Sequence, residues 1–262
     1  MTDGGGQELL SFGDHLEVLR RMLFRIIAVA GVIAVVVFCF KEATFSMLLA
    51  PSEWDFVTYR AIEHVLQAMG FDFHFEPYHV QLIATELQSQ FMTHISTAVY
   101  LGLLAASPYI MYELFRFISP ALYENERRYS VRVTLTIYVL FVIGVLMTYF
   151  VLFPISFRFL GTYSVAERVT STITIDSYIS SLLSLTLVMG AVFQLPVICF
   201  ILGKLGLISS QLLARYRRHA FILLMVVAAV ITPPDLMTLV LVSIPLYLLY
   251  EVSIWVVREM KD

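Results

Sequence analysis

Apolar residues in this chain run on in blocks instead of alternating or recurring on one helical face. The stretches at about 23–40, 91–111, 133–157, 177–203, 220–232 and 236–257 are almost free of formal charge, and the polar positions gather between them. Most approach the ~20 residues with which a helix crosses ~30 Å of hydrocarbon. The pattern therefore predicts an all-α polytopic membrane protein of six transmembrane helices, a single domain over 1–262. It excludes a transmembrane β-barrel, whose mark is weak alternation in shorter segments. The last two blocks are compressed around Pro233, Pro234 and Asp235, which predicts a tight helical hairpin. The short fifth block implies a locally thinned bilayer or a wet concave side, giving a cup-like bundle.

Composition agrees with the blocks. Of 262 residues, 59% are hydrophobic and 14% charged, and the mean hydropathy is +0.83, far from the balance of a soluble domain. Net charge is −3 with no run of like charge, so no nucleic-acid partner is expected. Cys39 and Cys199 both fall in apolar blocks and offer neither a disulfide framework nor a metal spacing. The polar, acidic start of the chain lacks a basic region ahead of a short apolar core. The first span is expected to serve as its own insertion signal.

The location of charge carries more than its sum. Arg20, Arg21, Arg25, Arg116, Arg127, Arg128, Arg132, Lys204, Arg215, Arg217, Arg218, Arg258 and Lys261 fall on one side of a six-span arrangement; Lys41, Arg60, Arg158 and Arg168 fall on the other. Basic residues in short loops stay cytoplasmic, so 13 of 17 place both termini in the cytoplasm. The segment 41–90 then lies outside, with seven acids against two bases. Within it Ile62, Val65, Leu66 and Met69 fall at helical spacing and Gly70 follows as a left-handed cap. A short amphipathic helix over about 59–69, lying on the membrane, is expected. The FDFHFEPY run after it suits an interfacial aromatic belt.

No nucleophile elbow, zinc-protease, P-loop or dinucleotide motif is present, so no enzyme activity is expected. His64, His74 and His79 match no closed zinc pattern, and neither metal nor cofactor is predicted. What remains is a few polar residues in or beside the membrane, where they are costly and raise a functional reading by default. Glu124 and Glu126 in FISPALYENERR either start a helix, favoured there by its dipole, or offer carboxylates to a guanidinium from outside. Gln194 in FQLP either docks a partner helix by hydrogen bonds or satisfies the carbonyl freed by Pro196. Asp235 suits an N-cap, Glu251 either snorkels or faces a polar cavity, and His94 is a buried hydrogen-bonding histidine or lines a pore.

The FISPALYENERR stretch, HLEVLRRML at His15 to Leu23, LLAP at Leu48 to Pro51, ITPPD at Ile231 to Asp235 and the Tyr250–Glu251 pair together resemble the TatC family of the twin-arginine protein translocase. The resemblance implies a receptor in the bacterial cytoplasmic membrane. Such a receptor binds the paired arginines of signal peptides on folded cargo and recruits single-span TatA- and TatB-type subunits for transport driven by the proton-motive force. It works in contact with membrane lipids and as a homo-oligomer within the complex.

On that resemblance Glu126 is the main arginine acceptor, with Glu124, Phe117, Glu17 and Arg20 around it. Gln194, Pro51, Asp235 and Glu251 are the partner-docking candidates. Two departures stand out. Val18 follows Glu17 where the family shows a second carboxylate, which shifts the expected weight onto Glu124 and Glu126. Gln194 stands where many relatives carry a glutamate, and it can neither ionise nor pass a proton. The rival reading is a secondary transporter or channel for a small solute, but the chain shows no internal repeat and few mid-span charges.

Overall fold

A computed structural model of the chain describes residues 12–72, 74–78, 80–118, 127–164, 172–232 and 235–259, with side chains at 12–15, 118, 127–133 and 259 left aside. Without water in hydrocarbon every backbone polar group must be paired within the chain, and helices dominate the result. Helix α1 (Phe12–Cys39) is followed by α2 (Lys41–Leu49), a 3-10 turn at Ala50–Ser52 and α3 (Val57–Ala68). Next come α4 (Ser89–Ala105), α5 (Ser107–Ile118), α6 (Arg127–Met147), a π-helical turn at Thr148–Leu152 and α7 (Phe153–Thr162). The remainder is α8 (Ile175–Val192), α9 (Leu195–Lys204), α10 (Ser210–Arg215), α11 (Arg217–Ile231) and α12 (Leu236–Glu259). A two-residue parallel bridge, β1 (Leu82–Ile83) with β2 (Ile173–Thr174), ties the cap segment to the approach of α8.

Four helical stretches have the length and apolarity to cross a bilayer: Leu16–Cys39, Thr134–Thr162, Ile175–Lys204 and Leu236–Arg258. The second block differs from expectation. Instead of one straight span it forms α4 and α5, bent by 53° around Ala106. Pro108 stands in the first turn of α5, where its missing N–H is tolerated and a straight continuation from α4 is not. The third block runs on to Thr162 through the π turn ahead of Pro154, and the fourth turns at Phe193–Gln194 ahead of Pro196. Helix α11 has 15 residues, about 22 Å at 1.5 Å per residue.

Tight helix crossings hold the bundle where small residues let backbones approach. A Cβ on Gly102 of α4 would sit 2.7 Å from the Ala34 Cβ and 2.8 Å from the Ala30 carbonyl of α1. At Gly190 of α8 it would sit 2.7 Å from the Phe141 ring of α6. The main core forms around α8, with Leu152, Phe153, Tyr178, Leu182, Met189 and Leu246 among its buried members. A smaller cluster joins Phe115 of α5 to Ile137 and Val197.

The cap segment is built on the π turn. Helix α3 ends as the sequence predicts: Gly70 takes φ +88°, its N–H donates to the Gln67 carbonyl at 2.9 Å, and Phe71 N–H donates to Leu66 O at 3.0 Å, a Schellman ending. At its other end Thr58 Oγ1 donates to the Phe150 carbonyl, and Tyr59 Oη donates to Pro154 O at 2.8 Å. The FDFHFEPY run is not simply a belt. Phe71 is exposed, but the Arg158 guanidinium lies over the Phe75 ring at 4.4 Å, Tyr78 at 4.6 Å and Tyr59 at 5.1 Å. It also donates to Glu76 O at 2.8 Å. Burial pushes the Tyr59 and Tyr78 phenols up, so both hydroxyls stay neutral.

Gly102→Ala is expected to cost about 1–3 kcal/mol, because a methyl is forced against a neighbouring backbone. Gly31→Ala meets open space and is expected to gain up to about 1 kcal/mol from helix propensity. Thermal unfolding of the two variants in detergent checks the contrast.

Candidate functional site

Of the candidate recognition residues, Glu17 and Arg20 stand near the start of α1 and Phe117 near the end of α5, two helices that touch each other. Glu17 is held within its own helix: Oε1 pairs with Arg21 Nε at 3.0 Å and Oε2 with Arg20 Nη1 at 3.4 Å. All three side chains are well exposed. Spacings of i, i+3 and i, i+4 bring such residues onto one helix face. Phe117 is half-buried near the C-terminus of α5, while Phe115, two residues before it, turns into the core. Glu124 and Glu126 lie outside the described residues.

One member of this region is not singled out by the sequence reading. Glu113 of α5 is 4% exposed, and its Oε1 accepts from Arg25 Nη1 at 3.2 Å and Tyr109 Oη at 3.0 Å. This ion pair links α1 to α5 across 88 positions in the chain. The available signal was an acid at the end of an otherwise apolar block, which in a membrane protein is rarely idle.

The docking candidates are separated, and each is engaged. Gln194 Nε2 donates to Ile137 O of α6 at 3.1 Å and more weakly, at 3.5 Å, to Gly190 O. The carbonyl freed by Pro196 is that of Val192, four residues back, so Gln194 ties two helices together instead of patching its own break. Its Oε1 is buried without a partner among the described residues.

Asp235 Oδ1 accepts from Thr238 N–H at 2.7 Å, the N-cap expected at the start of α12. Glu251 stays partly exposed and is engaged as well: Oε2 pairs with Arg217 Nη2 at 2.8 Å and Oε1 accepts from Tyr247 Oη at 3.1 Å. Together with Tyr250 Oη on the Leu213 carbonyl at 2.8 Å, this pair fastens the base of the α11–α12 hairpin. Pro51 is buried within its 3-10 turn, which packs on α7. His94 is the hydrogen-bonding kind, its Nε2 lying 3.1 Å from Phe38 O and its ring stacked 4.1 Å from that of Phe38.

At the far end of the bundle a cavity of about 450 Å³ opens between α7, α8 and the tip of the α11–α12 hairpin. Its walls mix Phe157 and Leu185 with the hydroxyls of Ser156, Ser181, Ser184 and Thr238. Among the described residues no group of three or more His, Cys, Asp or Glu is placed to hold a metal.

The family model described as Sec-independent protein translocase protein (TatC) matches residues 14–245. The chain belongs to the TatC family. A TatC protein of Blattabacterium sp. subsp. Periplaneta americana is 32% identical over 251 residues, covering 94% of each chain. One from Carboxydothermus hydrogenoformans is 31% identical, covering 95% of this chain and 93% of the relative. The TatCy protein of Bacillus subtilis is 38% identical across 66% of this chain and 68% of its own length. Among solved structures, the crystal structure of the twin-arginine translocase receptor TatC superposes with a TM-score of 0.75 at 30% identity, covering 95% of this chain and 100% of that one. TatC membership thus extends over nearly the whole bundle and includes the α1–α5 region.

Asp235→Ala is expected to lower stability by about 1 kcal/mol and Asp235→Asn by much less, since asparagine caps equally well. Thermal midpoints of the two variants in detergent report the difference.

Proposed function

We propose that this chain is the signal-recognition core of a twin-arginine translocase. It would take up the paired arginines of signal peptides on folded cargo, and the assembled complex would export that cargo using the proton-motive force. The observation that carries the reading is the extent of the family match, residues 14–245, with a receptor of known structure aligning over 95% of this chain. It is a binding scaffold, and the family is that of a translocase component. Nothing in the comparisons favours a small-solute carrier.

The topology proposed is six spans with both termini in the cytoplasm. The four long helices, the bent α4–α5 pair and the short α11 supply the six crossings. The bias of 13 among 17 basic residues supports the orientation. A bilayer of ~30 Å exceeds α11, and the mismatch is met by thinning around the hairpin.

Within this reading Glu126 is the principal guanidinium acceptor, with Glu124 and Phe117 beside it. Glu17 and Arg20 contribute less, because they are already paired with each other and with Arg21. For single-span TatA- and TatB-type partners we assign the faces of α9 and the α11–α12 hairpin. Gln194, Asp235 and Glu251 shape those faces from within, and Pro51, in the turn packed on α7, is a separate docking point. Further copies of the chain and surrounding lipid complete the assembly.

The test is binding of a twin-arginine signal peptide and its twin-lysine variant to the full chain in proteoliposomes at matched salt. Wild type is expected to prefer arginine, and Glu126→Gln to lose that preference, since a fork on a carboxylate is what lysine cannot form. Glu126→Ala is expected to harm binding more than Glu17→Ala; equal losses would move the site toward α1.

A further inference from the structure

Paired guanidinium groups call for carboxylate partners, and Glu126 and Glu124 are both proposed from one short segment of the chain. In this chain Glu17 is taken up by Arg20 and Arg21, and no second carboxylate follows it, because position 18 is valine. A carboxylate with the required character stands on α5. Resting on the receptor reading above, we propose that Glu113 is a second guanidinium acceptor of the recognition site. Arg25 is then a resident placeholder that an incoming arginine displaces.

The pair is built for exchange. Glu113 is the inward member, its side chain 5% exposed, while the Arg25 side chain is 48% exposed. The carboxylate is fixed and the guanidinium lies on the solvent side. Arg25 holds it through one nitrogen at 3.2 Å, and the same oxygen, Oε1, also takes the Tyr109 hydroxyl at 3.0 Å. That is a single-point contact, weaker than the two-pronged pairing that defines strong arginine–carboxylate recognition. Arg25 has a second place to rest: its Nε reaches the Arg21 carbonyl at 3.4 Å, one turn along α1.

The energetics favour a swap over a fresh binding event. Emptying a buried carboxylate of its cation is strongly unfavourable, and filling it with a new one from water carries a desolvation cost. Replacing one arginine by another keeps the carboxylate compensated throughout, and the released Arg25 head gains water. A lysine ammonium makes no planar fork and is more strongly hydrated, so it displaces Arg25 poorly. Position supports the role as well. Glu113 lies one helical turn before Phe117, and the exchange site is eight residues along α1 from Glu17, about 12 Å.

The experiment measures twin-arginine and twin-lysine peptide binding to full-length wild type, Arg25→Gln, Glu113→Gln, the double variant and Glu126→Gln, in proteoliposomes at one salt concentration. Removing the placeholder makes the competent site more available, so Arg25→Gln is expected to tighten arginine-peptide binding about threefold to tenfold and leave the lysine peptide unchanged. Glu113→Gln is expected to weaken arginine-peptide binding about tenfold, and the double variant to bind like Glu113→Gln alone. Arg25→Gln binding no tighter than wild type, or a gain that survives in the double variant, would overturn the placeholder. Equal weakening by both single variants without change in arginine-over-lysine preference would reduce the pair to a structural tie and overturn it too. If either glutamine variant does not fold, Arg25→Lys decides, because it keeps a cation beside Glu113 and is expected to yield to an arginine peptide more readily than Arg25 does; binding no tighter than wild type would overturn the placeholder. Loss of preference in Glu126→Gln with no response at Arg25 sinks only this inference; a wild type with no preference sinks the receptor reading itself.

Discussion

Pro154 cannot donate to the Phe150 carbonyl four residues behind it, and in a bilayer that oxygen finds no water. Thr58 supplies the missing hydrogen. Much of the upper half of the molecule follows from this substitution of a side chain for a backbone donor. The helix around the break adopts a π turn, in which Phe153 N–H reaches Thr148 O, and Thr148 Oγ1 bonds back to Gly144 O at 2.9 Å. Helix α3 must lie across that turn to bring Thr58 there. Once it does, Tyr59, Tyr78 and Phe75 are in place to close on Arg158. The cap segment is thus a repair of a proline break that has grown into a layer of structure.

The same logic governs the polar residues deeper in the bundle. Gln194 joins α8 to α6, His94 takes a carbonyl at the end of α1, and Glu251 and Arg217 neutralise each other at the foot of the hairpin. Each is an expensive group made tolerable by a partner on another helix. At the exposed start of α1, by contrast, Glu17, Arg20 and Arg21 pair with one another on a single helix face near solvent.

Features encoded locally were legible in the sequence. The apolar blocks, the α3 stripe with its Gly70 ending, the hairpin stop and the Asp235 cap all depend on residues within a turn or two of each other. The bend at Ala106 and the turn at Phe193 were not, although Pro108 and Pro196 were in plain view. A proline says that a helix will be disturbed; the packing around it decides whether the axis turns by 53° or carries on. Glu113 was missed for a related reason: its meaning lies in Arg25, 88 positions away, and periodicity is blind to such pairs. The FISPALYENERR segment was read from its motif alone, since its two glutamates lie outside the described residues.

Helix α1 touches the rest of the bundle chiefly along one line against α4, and Val32, Val35 and Val36 on its other sides are exposed. Toward the start of the helix Met22 and Ile26 are buried and Arg25 reaches Glu113 of α5, while the crossing at Gly102, with Ala30 and Ala34 pressed against it, is a tight point further along. Helix α1 is thus a strut moored at two heights, by a close backbone crossing in the middle and by an ion pair toward its charged end, with its other flank left bare.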